Sequence, residues 1–288
     1  MTRALLVATA VAFLTALTLA CSGPGGTSGV PRVATTVYPL SFVVDRIAGD
    51  QVDATGLVPG GAEPHDVELS PGQVRTLAEA DLVFYVGAGF QPAVEDAVEG
   101  IEGEAVDVLD AAQVPGEGGT DPHVWLDPLR LARIAEVVRD RLVADDPEEA
   151  GAYRANFGRL RRELYGLDDE LARGLHGCER DAFVTAHQAF GYLAARYDLT
   201  EISLSGLDPE AEVSPSRLAD VARVARDHDL SVIFYEELVA PASAETLAAE
   251  VGARTEVLSP LESAPEEGDY FTVMRRNMEA LREALVCE

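Results

Sequence analysis

The sequence predicts an α/β protein made of two β/α lobes, each with a mainly parallel sheet flanked by helices, joined by one long rigid helix. Three observations point to this fold. Strand-like segments alternate with helical ones from Arg32 to about residue 111, a long helical stretch follows, and the alternation resumes near residue 181. Because parallel strands need crossover connections, which are usually helices, this rhythm is typical of parallel sheets covered by helices.

Four strand segments with helices between them form the predicted first lobe. Ser70 is predicted to cap the second helix, because its hydroxyl can accept a backbone N–H, and Pro71 suits the first helical position. The strand segments cover residues 32–40, 51–58, 81–87 and 105–111, and the helices cover residues 42–50, 70–80 and 92–101.

Two helices occupy the middle of the chain. The first is predicted to begin after Asp127 as its cap, with Pro128 next, and the second runs from about residue 145 to Gly174. At 1.5 Å per residue the second spans about 40 Å, long enough to connect two lobes as a strut. Its apolar residues step by four and three and so share one face: Tyr153, Phe157, Leu160, Leu164, Leu167 and Leu171.

The predicted second lobe repeats the β/α rhythm. Its strand segments cover residues 181–187, 200–207, 230–237 and 253–259, and its helices cover residues 188–197, 214–229, 241–252 and 270–286, with Ser214 as a cap. We therefore expect a first lobe over residues 32–127, a helical segment over 128–176 that includes the connecting helix, and a second lobe over 177–288.

Residues 1–20 have the pattern of a secretory signal peptide, with Arg3 near the start, an apolar run and the small Ala20 at the end. The run is long enough to pass for a short transmembrane helix, but its position favours a signal. Cys21 follows, within a flexible tether over residues 21–31, which resembles the layout of bacterial lipoproteins with a lipid on Cys21. Ordinary cleavage that leaves a free thiol is the alternative. We expect an exported protein, tethered to the outer face of the cytoplasmic membrane or periplasmic.

The other two cysteines are Cys178 and Cys287, the latter one residue from the end of the sequence. An exported compartment favours a disulfide between them, which would pin the last helix to its lobe. Two buried thiols are the alternative.

The formal net charge is −28, from 50 acidic and 22 basic residues. Phosphate binding needs the opposite sign, so nucleic acid is excluded as an expected partner. An acidic surface attracts cations weakly and more commonly serves solubility.

Three of the five histidines share one context, at or just beyond the C-terminal end of a predicted strand: His65, His123 and His187. In parallel α/β sheets this edge forms the ligand crevice. Two belong to the first lobe and one to the second, so we expect them to meet between the lobes. Converging imidazoles suit Zn²⁺, with a carboxylate or water completing a tetrahedral shell. His176 and His228 fall at helix ends and are interpreted as ordinary surface residues.

Ordered segments across residues 32–288 resemble the zinc/manganese substrate-binding lipoproteins of bacterial ABC importers (ZnuA/TroA-like, cluster A-I). These segments read "GAEPHDVELSP", "DPHVWLDP", "VTAHQAFGYLAARYDL" and "GLDPEAEVSPSRLADV", followed by the tail "GDYFTVMRRNMEALREAL". The resemblance implies two β/α lobes on one long helix. It also implies that His65, His123 and His187 match the family's three histidine ligands.

The chain departs from that family at two points. Where the family commonly has an aspartate ligand, this chain reads "LSPLE" with Ser259, a neutral hydroxyl that binds zinc poorly. Glu262 is the first candidate for the fourth ligand, Glu236 the second and water the third. The other departure is the segment "AAQVPGEGGT" before His123, which lacks the histidine-rich insertion of many zinc members, so that segment is not expected to gather metal.

These features predict a high-affinity extracytoplasmic zinc receptor, not an enzyme, that delivers metal to the permease of an ABC importer. Three histidines with at most one acid favour Zn²⁺ over Mn²⁺, which prefers oxygen-rich shells, so a manganese receptor of the same family is the alternative. A secreted zinc hydrolase is the alternative from another class, since three histidines with an open position also form a catalytic pattern, although no HExxH motif is present. We expect a monomer held at the membrane by its lipid.

Overall fold

The computed structural model describes residues 30–111 and 121–288. Cys21, the predicted signal peptide and most of the short segment before His123 lie outside the described residues, so lipid attachment stays a prediction. Among the helices that are described, none combines the length and apolarity needed to cross a membrane.

Two four-stranded parallel sheets organise the described residues, and both have the same strand order. In the first sheet the order is β2-β1-β3-β4 and in the second β6-β5-β7-β8, so in each sheet the first strand in sequence lies between the second and the third. The strands are β1 (Arg32–Thr35), β2 (Asp53–Gly56), β3 (Leu82–Tyr85), β4 (Glu104–Asp107), β5 (Ala182–Thr185), β6 (Thr200–Ser203), β7 (Val232–Tyr235) and β8 (Arg254–Val257).

Helices connect successive strands, and a pair of longer helices separates the two sheets along the chain. They are α1 (Tyr38–Ala48), α2 (Pro71–Glu79), α3 (Pro92–Val98), α4 (Val108–Ala111), α5 (Pro128–Asp145), α6 (Ala150–Gly174), α7 (Gly191–Arg196), α8 (Pro215–Asp227), α9 (Ala242–Val251) and α10 (Tyr270–Leu285). The predicted fold of two parallel-sheet lobes with a long helix between them is confirmed.

The predicted helix caps are confirmed as well. The Ser70 hydroxyl accepts the backbone N–H of Gln73 in a capping box at α2, and Ser214 accepts a backbone N–H at the start of α8. At α5 the Asp127 carboxylate accepts the backbone N–H groups of Leu129 and Arg130. These side chains satisfy donors that the first helical turn leaves without a partner.

Among the element boundaries that differ from the sequence prediction, two have a clear local cause. Strand β1 stops at Thr35 and α1 already begins at Tyr38, because Pro39 at the second helical position has no N–H to lose there. Strand β4 stops at Asp107, whose Oδ1 accepts the backbone N–H of Leu109 at 2.9 Å and so favours the helical turn of α4 over a continued strand.

The largest hydrophobic core runs through both lobes. It joins side chains of β1, α1, α5 and α6 to those of β5, β7 and α10, and smaller clusters fill the outer face of each sheet. All six apolar residues predicted for one face of the long helix are buried in this core. Helix α6 is about 37 Å long. It packs on α1 and α5 on one side and on α10 of the second lobe, so it contacts both lobes.

The Cys178–Cys287 disulfide is present, with a sulfur–sulfur distance of 2.03 Å, so that prediction is confirmed. Cys287 follows α10 by two residues, and Cys178 follows α6 by four residues. The bond therefore ties the last helix of the chain to the end of the connecting helix.

Candidate metal centre

His65 lies in the loop between β2 and α2, and neighbouring groups fix this loop from two sides. The buried Gln91 amide donates to the carbonyls of Thr36 and Pro64, both at 3.1 Å. The His65 backbone N–H donates to Glu63 Oε1 at 3.0 Å. The edge of the imidazole meets Phe90 with ring centroids 4.5 Å apart, so the ring is held by the protein before any ion arrives.

His123 precedes a short 3-10 helix (Val124–Leu126) and is completely buried. Its Nδ1 lies 2.9 Å from Asp121 Oδ1, and its backbone N–H donates to the same oxygen at 3.0 Å. A carboxylate accepts hydrogen bonds, so Nδ1 carries a proton, and Nε2 is the nitrogen that can offer a lone pair to a cation. Tyr192 of α7 donates to the Asp121 carbonyl at 3.2 Å, which ties this segment to the second lobe.

His187 follows β5 by two residues and is also completely buried. Its Nδ1 lies 2.6 Å from Oε1 of Glu236, which directly follows the neighbouring strand β7. The Glu201 carboxylate holds the same loop by accepting the backbone N–H groups of Ala189 and Phe190 at 3.2 and 3.1 Å. His187 Nε2 is buried without a hydrogen-bond partner in the described structure.

Glu262 comes from the loop after β8 and is 2% exposed. Leu261 before it adopts a positive φ of 57°, a conformation that side chains other than glycine rarely take, and the Glu262 carbonyl accepts the Tyr38 backbone N–H at 3.2 Å. Strain of this kind persists where the surroundings enforce it, often at binding sites. The loop is further tied to the first lobe by Trp125 Nε1, which donates to the Pro260 carbonyl at 2.7 Å.

One ligand atom from each of these four residues converges on a single point. The three imidazoles and the Glu262 carboxylate each offer an atom such that all four lie within 4.8 Å of one another. Glu262 Oε1 lies 3.3 Å from His65 Nε2, 3.0 Å from His123 Nε2 and 3.5 Å from His187 Nε2. The Nε2 atoms of His65 and His123 are 3.4 Å apart.

These separations match the edges of a tetrahedral shell. Bonds of about 2.0–2.1 Å from a central zinc ion place neighbouring ligand atoms about 3.3–3.4 Å apart. The donor set, three neutral nitrogens and one carboxylate oxygen, is one that Zn²⁺ accepts readily.

In this buried cluster the histidines and the carboxylates shift one another's pKa values in opposite directions. Burial alone would raise the pKa of Glu262, but the adjacent imidazoles of His123, His187 and His65 hold that pKa well below its usual value. Burial alone would lower the pKa of His187, but its hydrogen bond to Glu236 and the nearby Glu262 carboxylate raise it to about 10. The pKa of His123 is also raised, since Asp121 and Glu262 outweigh its burial.

The structure thus brings together His65, His123, His187 and Glu262 and separates the other candidates from them. Glu236 faces Nδ1 of His187 instead of the point where the four ligand atoms meet. Ser259 is engaged within its own loop, where its hydroxyl accepts the Leu261 backbone N–H at 3.4 Å. The remaining two histidines are exposed and lie outside the cluster, as expected.

Sequence reasoning missed Asp121, and it considered Glu236 only as a second candidate for the fourth ligand, not as a residue that orients an imidazole. Asp121 stands two residues before His123, a spacing that lets one carboxylate reach both the backbone and the ring of that histidine. Glu236 is the first residue after a buried strand, which is a usable signal for a functional position. Gln91 carries no comparable signal, because its partners are carbonyls 27 and 55 residues away.

Comparison with known proteins places these observations in a family. The family model described as "Zinc-uptake complex component A periplasmic" (ZnuA) matches residues 33–284. The zinc-binding lipoprotein AdcA of Streptococcus pneumoniae is 33% identical over 289 aligned positions, which cover 92% of this chain and 58% of AdcA. The high-affinity zinc uptake system protein ZnuA of Bacillus subtilis is 32% identical, with 88% of both chains covered. The chain therefore spans little more than half the length of AdcA.

Solved structures agree in fold. The Zn(II)-bound ZnuA-like domain of S. pneumoniae AdcA is 33% identical, with a TM-score of 0.77 over 89% of this chain and 99% of that domain. The laminin-binding protein Lbp of Streptococcus pyogenes is 28% identical, with a TM-score of 0.81 over 88% of this chain and 99% of Lbp. From the extent of the family match and these relatives, the chain belongs to the ZnuA family of zinc-uptake components.

Proposed function

We propose that this protein is a high-affinity extracytoplasmic zinc receptor whose ion is held by His65, His123, His187 and Glu262. The observation that carries the proposal is the convergence of four ligand atoms, one from each residue, within 4.8 Å. Two of the residues come from the first lobe and two from the second. Binding therefore stabilises the arrangement in which the lobes face each other across the ion.

Zinc is favoured over manganese by the ligand set and by the relatives. Manganese prefers harder, oxygen-rich shells with more than four ligands, whereas three imidazoles and one carboxylate suit Zn²⁺. AdcA of S. pneumoniae is described as zinc-binding, and ZnuA of B. subtilis as part of a high-affinity zinc uptake system. Both descriptions support the same cargo here.

Delivery to an importer follows from membership in the family. A component of a zinc-uptake complex needs a membrane partner that accepts the ion, and we propose an ABC-type permease. The family description places such components in the periplasm, and the lipoprotein name of AdcA supports tethering through Cys21. A lipid-anchored receptor keeps its cargo close to the permease.

We propose capture instead of catalysis, so the secreted zinc hydrolase is the weaker candidate. Catalytic zinc sites have three protein ligands and keep a fourth position for water or substrate. Here the Glu262 carboxylate occupies that fourth position and is itself 2% exposed. A complete and buried ligand set suits retention of an ion.

The proposal is tested by metal analysis of the mature protein after stripping and reloading with zinc. We expect about one tightly bound zinc per chain, and a loss of affinity of more than about 100-fold in His187→Ala, since even residues that only orient ligands cost 10–100-fold. His228→Ala is the matched control, because His228 is exposed and outside the cluster. Unchanged zinc content in His187→Ala contradicts the assigned ligands.

A further inference from the structure

A cavity of about 710 Å³ reaches the candidate metal centre from the side of Glu262. One wall comes from the first-lobe loop that contains Gly60, Gly61 and Glu63, and the other from the loops after β7 and β8 in the second lobe. The Gly61 backbone N–H donates to Ser263 Oγ at 2.9 Å, which ties the two walls together. Glu262 is thus both a ligand candidate and part of the cavity wall.

The ligand atoms need such a connection to solvent. The side chains of His123 and His187 are 0% exposed, that of Glu262 is 2% exposed and that of His65 is 10% exposed. An ion at their centre is enclosed by protein on the side of the two fully buried rings. The cavity is lined by Glu262 itself and by Glu63 and Glu236, which hydrogen-bond to His65 and His187, so it adjoins the ligand cluster.

The size of the cavity suits a hydrated ion. Six water molecules at about 30 Å³ each occupy about 180 Å³, well below the volume of the cavity. The cavity is therefore large enough to hold a zinc ion with its first hydration shell.

The walls are strongly acidic. Six glutamates line the cavity against one basic residue, Arg276. Three of the glutamates, at positions 237, 266 and 267, are exposed and form no ion pair with any described residue. Their charges are therefore available to act on an approaching cation. Clefts lined by one sign of charge focus the field and raise association rates.

We propose that this acidic cavity is the route by which the hydrated cation reaches and leaves the buried ligands, with Glu237, Glu266 and Glu267 steering it inward. The inference rests on the proposed zinc binding and adds the path to it. The three glutamates touch none of the four ligand residues in any described contact, so they act on the rate of capture more than on the strength of the bound state.

The electrostatic half of the proposal is tested by stopped-flow zinc association in competition with a fluorescent chelator. The triple variant Glu237→Gln, Glu266→Gln and Glu267→Gln is expected to associate about 10-fold more slowly at low ionic strength, with most of the salt dependence lost. The matched control carries the same charge change at Glu99, Glu102 and Glu148, which are exposed and follow α3 and α5 at the opposite ends of the strands. Equal slowing in both triples overturns the steering role.

The steric half uses Ala264, an exposed residue whose methyl group lies 3.8 Å from where a Cβ on Gly60 would stand. Ala264→Phe narrows the space between the walls. A blocked route slows association and dissociation by the same factor and leaves the equilibrium affinity unchanged, because both directions use it. Unchanged rates overturn the route.

The proposed zinc binding and the proposed route of the ion can be tested separately. Zinc stoichiometry is measured first in the unmodified protein. If no tight zinc is found, the proposed function fails. If about one zinc binds and the rates of the acidic triple and of Ala264→Phe equal those of the unmodified protein and the control triple, only the route is wrong.

Discussion

At the scale of single residues, two imidazoles of the site, those of His123 and His187, already have a carboxylate partner at Nδ1. Asp121 and Glu236 each face a Nδ1 atom, at 2.9 and 2.6 Å, so that Nε2 is the nitrogen turned toward the cation. Such outer carboxylates fix the tautomer and the ring orientation and raise the basicity of the ligand. The higher basicity also strengthens proton binding, and protons compete with zinc for these nitrogens.

The first prediction concerns this competition at His187. Its pKa of about 10 in the metal-free protein means that zinc must displace a proton near pH 8, so the apparent affinity keeps rising as the pH increases toward 10. Calorimetry in buffers of different ionisation enthalpy should detect at least one released proton. Glu236→Gln removes the strongest support of the protonated ring and should reduce both proton release and the pH dependence.

The same shift acts on stability with a definite sign. A histidine whose folded pKa is raised from 6.5 to about 10 stabilises the metal-free fold fully below pH 6.5, and this contribution is lost as the pH rises through 10.

Glu102→Gln, at an exposed site, is the control for removal of one charge in the proton-release experiment with Glu236→Gln. If Glu236→Gln releases as many protons as the unmodified protein, the assigned role of Glu236 is wrong.

The residue scale also shows where sequence reading stops. The three histidines were found because each follows a strand, a property that periodicity reveals. Glu262 was the first of several candidates, since its loop turns back through Leu261 at positive φ and no periodic pattern encodes that turn. Asp121 was not found, because a nearby acid is common and only the folded geometry shows that it reaches the ring.

At the scale of elements, the long helix α6 carries the connection between the lobes. Its buried face was predicted residue by residue from steps of three and four, because a single-sided apolar pattern over about five turns has no other regular interpretation. The predicted start of α6 was less accurate. The prediction placed it at about residue 145, where α5 still continues, whereas α6 begins at Ala150. The short helix α4 was not predicted, because it depends on a single hydrogen bond to the Asp107 carboxylate and has no periodic pattern.

The second prediction concerns the packing of this helix. Leu164→Ala removes a fully buried side chain from the core shared by the lobes and should lower the free energy of unfolding by about 2–5 kcal/mol. Urea denaturation of the metal-free protein measures this. Tyr165→Ala is the matched control, because the neighbouring Tyr165 is 51% exposed and should cost little. Comparable losses in both variants contradict the assigned buried face.

At the scale of the whole molecule, the two lobes share one hydrophobic core. The hydrophobic core is continuous from β1 of the first sheet to α10, and hydrogen bonds such as Tyr270 to the Trp125 carbonyl at 2.6 Å cross between the lobes. A shared core of this kind resists wide hinge opening and favours small shifts of loops. The ion therefore has to use an existing path, which the acidic cavity supplies.

The third prediction concerns the Cys178–Cys287 disulfide, whose cysteines are 109 residues apart in sequence. In the chain-entropy model a bond that closes a loop of this length contributes about 4–5 kcal/mol. The double variant Cys178→Ser and Cys287→Ser should lose about that much in urea denaturation while binding zinc with unchanged stoichiometry, since neither cysteine belongs to the ligand cluster. Loss of zinc binding under conditions where the variant stays folded would contradict this separation of roles.

The equal division of the ligands between two sheets of identical strand order has a consequence for the fate of the cargo. Each half of the chain holds only two of the four proposed donor groups, so we expect a proteolytic fragment with one sheet to bind zinc far more weakly than the intact chain. Cleavage between the two sheets is therefore expected to release a bound ion.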